Sequence, residues 1–237
     1  MSRAALIFWL LLILVMVAVD YYRAWQYIPP EWNPWARVEL DHPMTPITRL
    51  KLTGLRDDQQ QCTELLATAP DAWLDHLPLE DYTPVESCPL TNVVRVSRTS
   101  VELSSTFTAT CPLVAAWVMF EQQHLQPLAR QHLGSPVAQL DHYGTFACRN
   151  IYHRENARRS EHARAAALDV AAFRLADGRR ISVLDDWDNE QEPARSEFLK
   201  DVHQAACDYF GTVLGPDYNQ PHENHFHLDT SRFGICR

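Results

Sequence analysis

Residues 167–184 read Ala-Leu-Asp-Val-Ala-Ala-Phe-Arg-Leu-Ala-Asp-Gly-Arg-Arg-Ile-Ser-Val-Leu. An apolar run over 167–175, a turn at Asp177-Gly178 and a second run over 180–184 predict a β-hairpin, because Asp-Gly suits turns that match strand twist. Successive strand residues face opposite ways, so Leu168 and Val170 point to a core while Asp169 shares the other face with Ala171. A carboxylate buried on a strand needs a partner, and a metal ion supplies one. Near the C-terminus, His225-Phe226-His227-Leu228-Asp229 predicts a short strand with the same logic. Phe226 and Leu228 face the core, and His225, His227 and Asp229 share the other side. Two imidazoles so placed pack poorly and ligate metal well.

Working outward, Asp57 and Asp58 offer caps for a helix through Leu65 and Leu66 that ends before Pro70. Strands are expected over 93–96, 101–108 and 137–140. Pro112 suits the first turn of a long core helix to about His132, closed by Gly134. Ser196 is the expected cap of a helix running to Phe210. Helices and mainly antiparallel strands in mixed order give an α+β fold, a small antiparallel sheet flanked by helices.

Every residue over 4–19 is apolar, and Tyr21, Tyr22 and Trp25 follow. This predicts an uncleaved transmembrane signal anchor over 1–22, since a spanning helix needs about 20 residues and interfacial aromatics are common. Residues 23–50 hold Pro29, Pro30, Pro34, Pro43 and Pro46, and are expected to form a semi-stiff spacer before a domain at 51–237. All six cysteines, at 62, 88, 111, 148, 207 and 236, lie beyond the anchor and none forms a C-x-x-C pair. They read as three disulfides in an oxidising compartment, with 62–88, 111–148 and 207–236 the expected pairing. The net charge of -9 argues against a general nucleic-acid binder, whose footprint is basic, so no nucleic-acid partner is expected.

The chemistry concentrates in two clusters. One is Ser160-Glu161-His162 followed by Asp169; the other is the H-x-x-H-x-H run of His222, His225 and His227. Two histidines and an aspartate leave a fourth tetrahedral position for water, the arrangement of a catalytic zinc rather than a structural one. Water bound there is acidified toward neutrality and can attack a polarised carbonyl. His222 reads equally as a substrate contact or a solvated loop residue, and Ser160 as a group near the metal or as a chain-turning residue.

Ser-x-His-(x)6-Asp followed far downstream by His-x-His resembles the pattern of the LAS-type metallopeptidases. More closely, the stretch from about Cys111 to Arg237 resembles the extensin-like C-terminal domain family. The matching segments include Phe146-Ala147-Cys148-Arg149-Asn150, Ser160-Glu161-His162-Ala163, Leu168-Asp169-Val170-Ala171 and His225-Phe226-His227-Leu228-Asp229. Position by position, the resemblance implies zinc held by His162, Asp169 and His227, with His225 as general base. It implies that Arg149 steadies the substrate carbonyl or oxyanion; a surface ion pair is the plainer alternative. Ala165 and Ala166 stand where the family usually has glycine and a small polar residue, so a positive φ there would be strained.

The expected function is that of a zinc-dependent endopeptidase or carboxypeptidase acting on peptidoglycan stem peptides. The domain would lie in the periplasm, held to the inner membrane by its N-terminal helix, with an envelope protein activator a further partner left open. The alternative is a non-catalytic module that binds wall peptides or an envelope protein through the same cleft.

Overall fold

The computed structural model describes residues 3–232 and 234–237. Its first element is the apolar helix α1 (Arg3–Gln26). Within it, Ala5–Arg23 is long and apolar enough to cross a membrane or to act as a signal sequence, and none of it is buried.

The segment expected as a spacer over 23–50 is largely folded onto the domain. Val38 and Leu40 are buried in the main core. Thr45 caps α2 (Pro46–Gly54), accepting from Thr48 N at 3.0 Å, with Pro46 in the first turn. Proline therefore punctuates elements here rather than stiffening an extended chain. Lys51 Nζ donates to the carbonyls of Pro30, Asn33 and Ala36, fastening that stretch to α2.

Asp58 caps α3 (Gln59–Ala67) as expected, its Oδ1 accepting from Gln61 N at 2.9 Å. Six short strands follow: β1 (Leu74–Pro78), β2 (Tyr82–Val85), β3 (Cys88–Leu90), β4 (Val93–Thr99), β5 (Glu102–Leu103) and β6 (Phe107–Thr110). β1, β4 and β6 form a three-stranded sheet, and β2 pairs with β3. The strand expected over 101–108 is thus split. At the break, Ser104 Oγ accepts from His142 N and the Ser105 carbonyl meets the His142 ring.

The long helix is α4 (Cys111–Phe120), a π-helical stretch over Glu121–Leu125, and α5 (Gln126–Leu133), closed by Gly134 at φ 68°. α4 is buried on every side rather than along one stripe. Then come β7 (Val137–Gly144), β8 (Ala167–Leu175), β9 (Arg180–Ser182), α6 (Val183–Asp186) and α7 (Pro193–Tyr209), followed by β10 (Thr212–Leu214), β11 (Phe226–Asp229) and β12 (Ile235–Cys236). The second hairpin strand stops at Ser182, which caps α6 by accepting from Asp185 N. Helix α7 starts at Pro193, three residues before the expected cap. Ser196 instead donates to the Trp187 carbonyl.

β8 organises the seven-stranded main sheet, whose order is β12-β10-β11-β8-β7-β5 with β9 also on β8. One edge of β8 pairs with β11 over 167–170 and with β9 over 172–174, while the other edge pairs with β7. The sheet is antiparallel except for β5–β7 and β10–β12, so the α+β expectation holds with parallel pairs at both edges. Phe173 of β8 meets Phe198 of α7 edge-on at 5.5 Å, and Phe120 meets Phe210 at 5.9 Å. Burying each such ring contributes roughly 1.5–3 kcal/mol.

The disulfides are Cys62–Cys111, Cys88–Cys148 and Cys207–Cys236. Only the last matches the expected pairing. α3 packs on α4, which sets Cys62 against Cys111, and the β2–β3 hairpin reaches the loop after β7 at Cys148. Three disulfides fit an extracytoplasmic domain.

The π-helical stretch carries Glu121, which is fully buried. Its carboxylate accepts from Thr99 Oγ1 at 2.6 Å, Trp117 Nε1 at 2.8 Å, Ser100 N at 2.9 Å and Ser100 Oγ. Burial pushes its carboxyl above the usual range while these donors pull the other way. Because each carboxylate oxygen accepts from an N–H that cannot accept in return, Glu121→Gln would set its amide NH2 against either Ser100 N–H or Trp117 Nε1–H. We expect that variant to lose about 2 kcal/mol in chemical denaturation without changing the assembled fold.

Candidate metal centre

The site is laid down by strand register. His227 of β11 sits directly across from Asp169 of β8, and Gly144 of β7 flanks Asp169 on the other side. Leu168, Val170, Phe226 and Leu228 go to the core, as alternation requires, leaving Asp169 and His227 side by side on the opposite face. The third group arrives from a short 3-10 turn, Glu161–Arg164, between the loop and β8. Ser160 caps that turn by accepting from His162 N, so its role is to turn the chain. The turn ends at Ala165, at φ 54°, the strained position that the glycine argument anticipated. Its methyl is fully buried against Leu90 and Val93, which offsets part of the cost.

Three atoms converge. His162 Nε2 lies 3.1 Å from Asp169 Oδ1 and 3.1 Å from His227 Nδ1, and His227 Nδ1 lies 3.0 Å from Asp169 Oδ1. The outer ring nitrogens decide what these atoms are. His162 Nδ1 donates to the Thr145 carbonyl at 3.0 Å, and His227 Nε2 donates to Asp229 Oδ2 at 3.3 Å. With those nitrogens protonated, neutral rings turn lone pairs inward, toward each other and toward a carboxylate. Three acceptors facing one point need a cation. The triangle they form is close in size to one face of the tetrahedron that zinc makes with N and O ligands at about 2.0–2.2 Å. The donor set therefore fits zinc, and a carbonyl or carboxylate behind each ligating histidine is the usual orienting arrangement.

Without an ion, a proton takes that place. Burial disfavours a charged His227, but its hydrogen bonds to Asp169 and Asp229 outweigh this and carry it up to about 9. Asp169 is held far below the usual carboxylate range, burial being overcome by the two imidazoles.

His225 lies just outside β11, yet its Nε2 reaches to 3.6 Å from Asp169 Oδ1. Its Nδ1 is engaged by Asn224 Oδ1 at 2.8 Å, which leaves the Nε2 lone pair facing the site. Burial, partly opposed by Asp169 and reinforced by nearby histidines and Arg149, pushes its pKa down, so this ring is a neutral base. His222, left open by the sequence, stands in the cleft with its ring 5.2 Å from that of His225. Burial first, and then repulsion from His225 and His227, lowers it to about 4. Arg149 lines the same cleft and makes no ion pair among the described residues, which removes the surface-pair alternative. The Cys88–Cys148 disulfide anchors the residue next to it.

The sequence reading missed two partners. Asp229 was placed on the correct face but without a role, and the Thr145 carbonyl carries no side-chain signal. The cleft has a volume of about 530 Å³ and is walled by Tyr152, Tyr218, Pro221 and Ile235 around Asp169, His225 and His227. A larger cavity of about 590 Å³, between residues 37–41 and α3, contains none of these groups. Among the described residues two other clusters have metal-like spacing, but His203-Cys207-Cys236 has its sulfurs in a disulfide. Glu39-Asp41-His42 lies on a surface loop where His42 accepts from Glu39 N.

Two measurements test this reading. In Asp229→Asn, the amide NH2 competes with the His227 N–H it should receive, and zinc affinity should fall about 10–100-fold in competition titration with a chromophoric chelator. Because zinc must displace the proton held on His227, its affinity should weaken about tenfold for each pH unit below about 9.

A family model described as "Extensin-like protein C-terminus" matches residues 60–237. No curated protein matches the chain, and no solved structure does. The match spans most of the 237 residues and takes in both clusters of the site. The chain belongs to the extensin-like protein C-terminus family.

Proposed function

We propose that this protein is a zinc-dependent hydrolase of peptidoglycan stem peptides, tethered by α1 to the inner membrane with its domain in the periplasm. The observation that carries the reading is the convergence of His162, Asp169 and His227 at 3.0–3.1 Å beside a free base, at the floor of an open cleft. A purely structural ion would be closed off by a fourth protein ligand, whereas this one would keep a position facing the cleft. Zinc, when bound, acidifies water and polarises a carbonyl.

The chain's own groups would do the rest. His225 Nε2 takes a proton from the attacking water and returns it to the leaving amine as the peptide C–N bond breaks. Its lowered pKa keeps it unprotonated and ready to accept at neutral pH. Arg149, which pairs with no carboxylate among the described residues, holds the substrate carbonyl oxygen as charge develops on it. His222 stays neutral beside His225 and narrows the cleft around the peptide. The peptide target rests on the order Ser-x-His-(x)6-Asp…His-x-His, which resembles the LAS-type metallopeptidases, and on a cleft of about 530 Å³ beside it. An exported domain near a membrane anchor has the wall within reach.

Purified protein should release cut peptides from peptidoglycan, and a chelator or His227→Ala should abolish the release. His225→Ala should keep its zinc while turnover falls about 10²–10⁴-fold. Intact wall peptides in the presence of bound zinc would instead identify a module that binds them without cutting.

A further inference from the structure

Beside the metal cleft lies a second pocket, of about 390 Å³, of unusual charge. Arg56, Arg158, Arg159, Arg164 and Arg232 line it, with Glu161 as the one carboxylate and Ser231 as the remaining wall. This stands in a protein whose net charge is -9, so the patch is not the by-product of a basic chain. Arg158 and Glu161 also line the metal cleft, so the two spaces share a wall.

Among the described residues, the partners of Arg56, Arg159, Arg164 and Arg232 leave positive charge unbalanced. Arg164 pairs with Glu161. Arg232 meets Asp57 only at 3.9 Å, with both side chains well exposed, a pair worth little in water. Arg56 donates to the Thr230 carbonyl, which is not an anion. The Arg159 side chain makes no hydrogen bond or ion pair among the described residues. Burial and the repulsion of Arg164 and Arg232 lower the Arg56 pKa, a sign that positive charge is crowded here. Arginine's planar fork is preorganised for carboxylates in a way that lysine's point charge is not.

We infer that this arginine pocket is a subsite for a free carboxylate of the peptide lying in the metal cleft, which makes acidic peptides the preferred substrate class. The inference rests on the peptide-hydrolase reading above and extends it from the scissile bond to the far end of the ligand. The shared wall sets the geometry: a ligand held over the metal reaches the pocket across Arg158 and Glu161. Glu161 occupies one arginine and guards the passage, which disfavours densely charged anions relative to an isolated carboxylate.

The test is a binding measurement on the full chain in detergent, carrying His225→Ala so that cutting is slow against the time of the measurement. Two fluorescent peptides of one sequence are compared by anisotropy, one with free side-chain and terminal carboxylates and one with all of them amidated. The free-acid peptide should bind about tenfold more tightly, the worth of one charge-assisted contact. That advantage should shrink with added salt and vanish in Arg159→Ala/Arg232→Ala, while thermal melting shows the variant folded. Chelator should weaken both peptides and leave their ratio intact. Equal binding of the two peptides, an advantage that survives the double variant, or displacement of the free-acid peptide by low millimolar inorganic phosphate would each overturn the proposal. Hydrolysis is not the readout, so failure here leaves the hydrolase reading standing, and a cleft that binds without cutting leaves this one standing.

Discussion

Everything at the site depends on a cross-strand pair, Asp169 opposite His227. Strand pairing brings the two side chains together on one face, and the same register buries Leu168, Val170, Phe226 and Leu228 on the other. A slip of one residue would exchange the two faces, burying the ligands and exposing the core. The hydrophobic core and the candidate metal ligands are therefore enforced by a single alignment. That alignment is pinned further because β8 is paired along both edges.

Around this pair, each remaining group is positioned by a local device. Ser160 caps the turn that presents His162, and Ala165 in the left-handed region brings the chain back into β8. Gly144 lets β7 end beside Asp169, so that the next residue offers its carbonyl to His162. The Cys88–Cys148 bridge holds the loop bearing Arg149, and Cys207–Cys236 holds β12, whose Ile235 walls the cleft. These crosslinks close loops of 60 and 29 residues, each worth about 3–4 kcal/mol on a chain-entropy account. Loops at a working site are ordinarily the mobile part of a fold; here covalent ties substitute for core packing.

Much of this was readable from residue types alone, and the division follows the range of the interactions. Alternation along 167–175 and 226–229 predicted which residues face the site, because side-chain direction in a strand is local. Caps at Asp58 and Gly134 were local as well. Two local readings missed, the Ser196 cap and the end of the second hairpin strand, but the larger failures were long-range. The pairing of Cys62 with Cys111 depends on α3 packing against α4, which no short window contains. The burial of Val38 and Leu40 depends on a fold-back that a count of prolines conceals. The roles of Thr145 and Asp229 arise from which atoms stand behind the ligands, and a backbone carbonyl has no letter in the sequence.

The electrostatics of the centre would couple any bound cation to the fold. Asp169 and Asp229 are both buried beside His227, and both are held below the usual carboxylate range. Two buried carboxylates need compensating positive charge, and in the metal-free state a proton on His227 supplies part of it. A divalent cation would supply more, at a point where three acceptors already meet, so its binding would need no new arrangement. The cost of assembling those acceptors is met by the sheet register that the core enforces. The site is in this sense preformed: core packing holds the three groups in place, and a cation bound there would replace the proton that now balances them.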